Sequence, residues 1–171
     1  MKIRPATVED AVQLAHVHRN SWRATYRGVL TDEYLDALDV DRMASNWRRN
    51  ILRVPVGTLH LAAEVEGKVV GFASCGPARE EKSDAGQLYA INVDPGSWAR
   101  GVGSALFSAA EQALVEAGYS RAYLWVEQGN DRAIRFYTKR GWLDDGGMLE
   151  DERFDPPVSE RRHSCGFSRT A

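Results

Sequence analysis

The sequence predicts an α/β protein in which helices and strands share one core, and three observations predict it. A strand (Leu88 to Val93), a loop with glycines at 101 and 103, a helical pattern (Val102, Leu106, Ala109, Ala110, Ala113, Ala117) and a second apolar strand (Arg121 to Val126) follow one another. That order sets the two strands parallel through a right-handed crossover, so both end at one edge of the sheet, where open sheets bind ligands. Upstream, the apolar period changes from helical to two at Thr58, and two such runs meet at Glu66-Gly67, which marks a hairpin.

Length and composition bound the function. A chain of 171 residues predicts one domain with a proper core. Hydrophobic residues are 43% and charged residues 27%, the balance of a soluble globular protein. A net charge of -2 argues against a nucleic-acid partner. No apolar run reaches bilayer length, and the segment from Met1 to Asp10 lacks the apolar centre of a signal peptide. Cys75 and Cys165 form no Cys-x-x-Cys and no disulfide framework. They read as reduced thiols of a cytoplasmic protein, with a single bridge between them left open.

Taken in order, Ile3 and Arg4 predict a short strand closed by Pro5. Thr7 and Asp10 have capping-box spacing and open a helix to about residue 20, with Val8, Val12, Ala15 and Arg19 on its buried stripe. His16 and His18 lie two apart, on different faces, which does not suit a shared metal; no metal site is expected. Trp22 and Tyr26, four apart, read either as a core face or as the wall of a substrate pocket. Thr31 caps a helix with Asp32 and Glu33 in its first turn. Asp36, Asp39 and Asp41 continue an acidic run that is either a solvated face or a lure for a cationic amine. A further helix spans Arg42 to about Leu52.

The hairpin places Leu59, Leu61, Ala63 and Val65 on one face and returns over Lys68 to Cys75; a polar loop covers Ala78 to Gly86. In the next strand Tyr89, Ile91 and Val93 share one face, and Leu88, Ala90 and Asn92 the other. Gly118 ends the helix that follows, and Asn130 and Gly141 bracket another. Trp142 to Leu149, interrupted by Gly146-Gly147, and Val158 to Cys165 close the sheet, joined through Asp155-Pro156-Pro157.

The loop before the Val102 helix is suited to phosphate. The first turn of a helix has amides without intrahelical partners, glycines let them approach an anion, and Arg100 adds charge beside them. It is neither a P-loop, lacking Gly-Lys-Ser/Thr, nor a dinucleotide fingerprint, since Leu106 stands at the third glycine.

Together with the segment Asn130 to Trp142, this loop resembles the GCN5-related N-acetyltransferase (GNAT) family. The family loop Q/R-x-x-G-x-G/A falls on Trp98, Ala99, Arg100, Gly101, Val102 and Gly103, with Trp98 replacing Gln or Arg. The family pattern N-x-x-A-x-x-F-Y-x-x-x-G-F/W falls on Asn130, Ala133, Phe136, Tyr137, Gly141 and Trp142. The resemblance runs from Ile3 to about Cys165. It implies a GNAT fold: a mixed, mostly antiparallel sheet of six or seven strands, splayed between its central parallel strands and flanked by helices. It implies acetyl-CoA as cosubstrate, its pyrophosphate on residues 98–104 through Ser104, its pantetheine arm along Ile91, Asn92 and Val93, and further contacts from Asn130, Ala133 and Phe136. Tyr137 becomes the acid that returns a proton to the thiolate; from spacing alone it reads equally as a core aromatic beside Phe136.

The reaction implied is direct attack of a primary amine on the thioester, with a small amine or polyamine acceptor near Trp22 and Tyr26. Amino-sugar and protein N-terminal acceptors stay open. Many relatives place a basic Glu where Gln87 stands, so the base is sought among Glu33, Glu127 or a tyrosine. Asp144, Asp145, Glu150, Asp151 and Glu152 are assigned to the connection between the last strands, where they either suit a cationic acceptor or form only a solvated loop. No membrane partner is expected, and a homodimer is a family-level expectation only. The rival reading is a module that senses acyl-CoA without turning it over.

Overall fold

Proline at residue 5 cannot donate to a ladder, so the first strand, β1 (Lys2–Pro5), is short and takes an edge. The computed structural model describes residues 1–80, 83–154 and 156–167. Glu81 and Lys82 of the expected polar loop, and Asp155 of the expected connection, lie outside the described residues. Asp10 reaches back to the Thr7 N–H (2.8 Å) and pairs with Arg4 (2.7 Å), tying β1 to the first helix.

That helix, α1 (Ala11–Thr25), runs about five residues further than expected, because no glycine or proline interrupts it before Gly28. Its buried stripe is Ala11, Leu14, Ala15, Val17 and Ser21, while Val12 is 42% exposed. The expected stripe through Val8 and Val12 is out of phase because Val8–Asp10 form a 3-10 turn, tighter than an α-turn. α2 (Asp32–Asp36) is capped by Thr31, whose hydroxyl accepts the Tyr34 N–H. α3 (Val40–Leu52) starts two residues early because Asp39 caps it, accepting from Arg42 N at 2.6 Å. Asp39 is therefore a cap.

The strands β2 (Leu59–Val65), β3 (Lys68–Pro77), β4 (Gly86–Val93), β5 (Arg121–Glu127), β6 (Leu143–Asp151) and β7 (Val158–Gly166) join β1 in one seven-stranded sheet, order β1-β2-β3-β4-β5-β7-β6. The pairing of β4 with β5 is parallel and all others are antiparallel. α4 (Val102–Glu116) and α5 (Asp131–Thr138) follow β4 and β5. One face of the sheet packs on α4 through Leu61, Leu88, Leu106, Phe107 and Leu124; the other packs on α1 and α3 through Ala62, Phe72, Leu14 and Trp47. Among the described residues no helix is long and apolar enough to cross a membrane. Cys75 and Cys165 are both free, and burial pushes the Cys75 thiol up to about 11.

Three expectations need correction. Alternation along β4 breaks at Tyr89: Ser74 pairs with Ala90 and Cys75 with Leu88, so Tyr89 is an extra residue. The bulge turns Leu88 to the same core as Ile91 and Val93. Trp142 lies outside β6, fully buried, its indole N–H donating to Glu111 (2.8 Å), because the turn at Gly141 drops the ring under α4. Asp144, Asp145, Glu150 and Asp151 belong to β6, where the first three meet Arg161, Arg162 and Ser159 of β7 and Asp151 pairs with Val158; Gly146-Gly147 makes a bulge that the strand survives.

Candidate active site

The parallel ladder between β4 and β5 lasts for two pairs, Gly86 with Ala122 and Gln87 with Tyr123. Beyond them the Tyr89 bulge bends β4 away, and the facing edges of both strands open onto a cavity of about 1150 Å³. Backbone groups at such an edge want hydrogen-bond partners, and an extended ligand can supply them as a strand would.

The mouth of α4 closes one end. Asp94 fixes the turn into the loop by accepting from Gly96 N (3.0 Å) and from the Asn20 amide (2.9 Å). Ala99 and Gly101 take positive φ (58° and 80°), and Gly101 caps α4 with no side chain. A Cβ at Gly101 would meet nothing within 4 Å, and at Gly103 only Val93 Cγ2 at 3.8 Å, so the space before the first amides of this 15-residue helix is open. Trp98 is anchored by its indole N–H to the Val93 carbonyl (2.8 Å), and the Arg132 guanidinium of α5 stacks on its ring at 3.5 Å. Arg132 also donates to Thr25 (3.3 Å), so a cation from another element stands where residue 98 carries none.

Of the predicted cosubstrate contacts, Ile91, Asn92, Val93, Trp98, Ala99, Gly101, Gly103, Ser104, Asn130, Ala133 and Phe136 all line this cavity. Two do not. Arg100 is exposed and is not among the lining residues, and the Val102 side chain is buried in the core, leaving only its amide at the mouth. Asn130 caps α5, its side-chain oxygen accepting from Ala133 N (3.1 Å), which leaves its NH2 group for a ligand. Asn92 accepts from Ser21 of α1 (2.5 Å).

Tyr137 is 8% exposed, seated on Phe107 and Phe136, and its hydroxyl makes no hydrogen bond among the described residues. Burial, and then the Tyr26 phenol, push its pKa above the ordinary tyrosine value. Trp22 and Tyr26 both line the cavity and also pack on the small cluster of Leu30, Leu35 and Val158, so wall and core are one surface. Burial, then Glu160, then Glu127 push Tyr26 up to about 12.

Among the proposed bases, Glu127 lines the cavity and Glu33 does not. Gln87 is buried away from it, accepting from Arg79 N (2.9 Å) and the Tyr123 hydroxyl (3.2 Å). Sequence reasoning missed Glu160, whose only signal is the β5–β7 register that sets it opposite Glu127. It also missed Arg132. His18, expected as a surface or packing histidine, packs edge-on to Trp22, Trp47 and Phe72 and lines the cavity.

Known proteins resemble this chain in sequence and in fold. An uncharacterised N-acetyltransferase of Bacillus subtilis, YuaI, is 34% identical over 136 residues, 79% of this chain and 76% of that one. The spermidine N(1)-acetyltransferase of Thermoplasma acidophilum is 25% identical over 83% of this chain and 88% of its own. In fold, the chain matches the crystal structure of PaiA N-acetyltransferase from Thermoplasma acidophilum in complex with coenzyme A, with a TM-score of 0.71, 20% identity, and coverage of 97% of this chain and 98% of that one. The sequence model described as the acetyltransferase (GNAT) family matches residues 16–142, and with the splayed strands, the bare helix mouth and the Asn130–Trp142 segment in place, the chain belongs to the GNAT acetyltransferase family.

Proposed function

We propose that this protein transfers an acetyl group from acetyl-CoA to a primary amine by direct attack on the thioester, with small amines of the polyamine kind as acceptors. One observation carries the reading: a single cavity is bounded by the free amides of the α4 mouth, the unpaired edge of β4 and the Tyr137 phenol. Acetyl-CoA brings the thioester carbonyl and a thiolate leaving group. The amides of residues 102–104 suit a diphosphate, with Arg132 facing it; the β4 edge suits the amides of a pantetheine arm and offers an N–H to a developing oxyanion. Tyr137 is the proton donor to the thiolate. Its raised pKa keeps the phenol protonated at neutral pH but makes that transfer uphill, since alkyl thiols lie at roughly 8–9. The transfer is therefore coupled to recapture of a proton from the new amide nitrogen.

The likeness to a spermidine acetyltransferase and the carboxylates Glu127, Asp151 and Glu160 along the acceptor end support a cationic amine. The test is thiol release from acetyl-CoA against a panel of mono-, di- and polyamines. Turnover is expected on alkyl polyamines. Tight acetyl-CoA binding without turnover on any amine would favour the acyl-CoA sensor instead.

A further inference from the structure

The acetyl-transfer reading needs a group that takes the acceptor's proton, and the position many relatives use is filled by Gln87, which is buried and engaged elsewhere. Three carboxylates line the cavity. Asp151 is held by Arg153, which meets both of its oxygens (2.7 and 2.5 Å), and these bonds keep it below the usual carboxylate range. Glu127 accepts the Gly129 N–H at 2.6 Å. The Glu160 side chain makes no hydrogen bond and no ion pair among the described residues, although it is half-buried. It stands directly opposite Glu127 in the ladder, an arrangement that destabilises a sheet when both groups are charged. Tyr26 and Tyr137 line the same cavity as the pair.

We propose that Glu160, poised against Glu127 at the acceptor end of the cavity, is the base of the reaction. The inference rests on the acetyl-transfer reading. The carboxylate takes one proton from the acceptor's ammonium, and the free amine's lone pair forms the N–C bond at the thioester carbonyl. The C–S bond then breaks, its electron pair leaving on sulfur. Tyr137 protonates that sulfur and regains a proton from the nitrogen, and Glu160 returns its own proton to water. The charged and titratable groups around Glu160 are Glu127 on β5, Asp151 at the end of β6, Arg153 in the turn after it, and Tyr26 after α1. Burial first, then Asp151 and Glu127, raise it, against Arg153. A raised carboxylate is better matched to an ammonium proton than an ordinary one.

The experiment begins with wild-type protein and the amine panel; absence of turnover there sinks the functional reading itself, and this inference with it, before any variant is made. Given a turned-over alkylamine, Glu160→Gln should bind coenzyme A as wild type does and lose about 10²-fold in kcat/KM, together with the acidic limb of its pH profile. On an amine that is neutral at the assay pH, the loss should shrink below tenfold. A merely structural role would lower both amines alike, and that result, or a retained acidic limb, overturns the assignment. Carboxyl 13C NMR titration of the free protein gives a second readout. Glu160 should titrate above exposed glutamates and move down in Glu127→Gln. A midpoint in the ordinary range overturns the proposal even if Glu160→Gln fails to fold.

Discussion

Tyr137 belongs to the core by its packing and, on the proposed function, to the chemistry as well. Its ring packs with Phe107 (5.7 Å) and Phe136 (5.5 Å), which holds the phenol within the cavity, while its hydroxyl is owed nothing by the protein. Removing that hydroxyl should therefore cost little in folding. Tyr137→Phe is expected to lower kcat by about 10²-fold or more. The coenzyme A dissociation constant, read by calorimetry, should stay near wild type. An unchanged kcat, with chemistry shown to be rate-limiting, would remove Tyr137 from the acid role.

At the scale of elements, α4, the helix proposed to face the diphosphate, is aimed by what lies beneath it. α4 sits on two glycines of the sheet. A Cβ at Gly71 of β3 would come within 2.9 Å of Leu106 and 3.2 Å of Val102, and one at Gly86 of β4 within 2.8 Å of Leu114. Both ends of the helix thus approach the sheet more closely than a side chain allows. Gly71→Val is expected to destabilise the fold by about 1–3 kcal/mol through overpacking. Because Val102 opens the first turn and Leu106 packs directly behind it, coenzyme A affinity should fall as well. Urea midpoints and calorimetric affinities check the pair of effects; destabilisation with native affinity would mean that the mouth of α4 is positioned by something else.

The molecule as a whole carries an acid sensitivity that follows from its aromatic core. His18 is packed edge-on against Trp22 (5.1 Å), Phe72 (5.5 Å) and Trp47 (6.3 Å), and burial lowers its pKa to about 4. His60 is lowered in the same direction, by burial first and then by Arg79. The native state then holds fewer protons than the unfolded chain between the unfolded value, about 6.5, and the folded one. Stability is full above that window and is lost as pH falls through it, by on the order of 3 kcal/mol for His18. Urea midpoints measured from pH 7.5 to 4 should show this decline, flattened in His18→Phe. An identical slope in that variant would place the sensitivity elsewhere.

Local signals carried the reading of the sequence a long way. The cap at Thr31, the terminators at Gly118 and Gly141, the hairpin at Glu66-Gly67 and the cap at Asn130 lie where the sequence predicts, because each is chemistry among residues a few positions apart. The loop and the Asn130–Trp142 segment likewise pointed to the family that the comparisons support. What sequence could not supply is what depends on partners distant along the chain. The bulge at Tyr89 is fixed by pairing with Ser74 and Cys75, the seat of α4 by Gly71 and Gly86, and the stack of Arg132 on Trp98 by the approach of α5 to the loop. Glu160 faces Glu127 across 33 residues only because β7 inserts beside β5. The sequence by itself determined the elements, their caps and the family; the tertiary structure decided which side chains share the cavity, since strand register and helix seating are set by packing between segments that no local pattern connects.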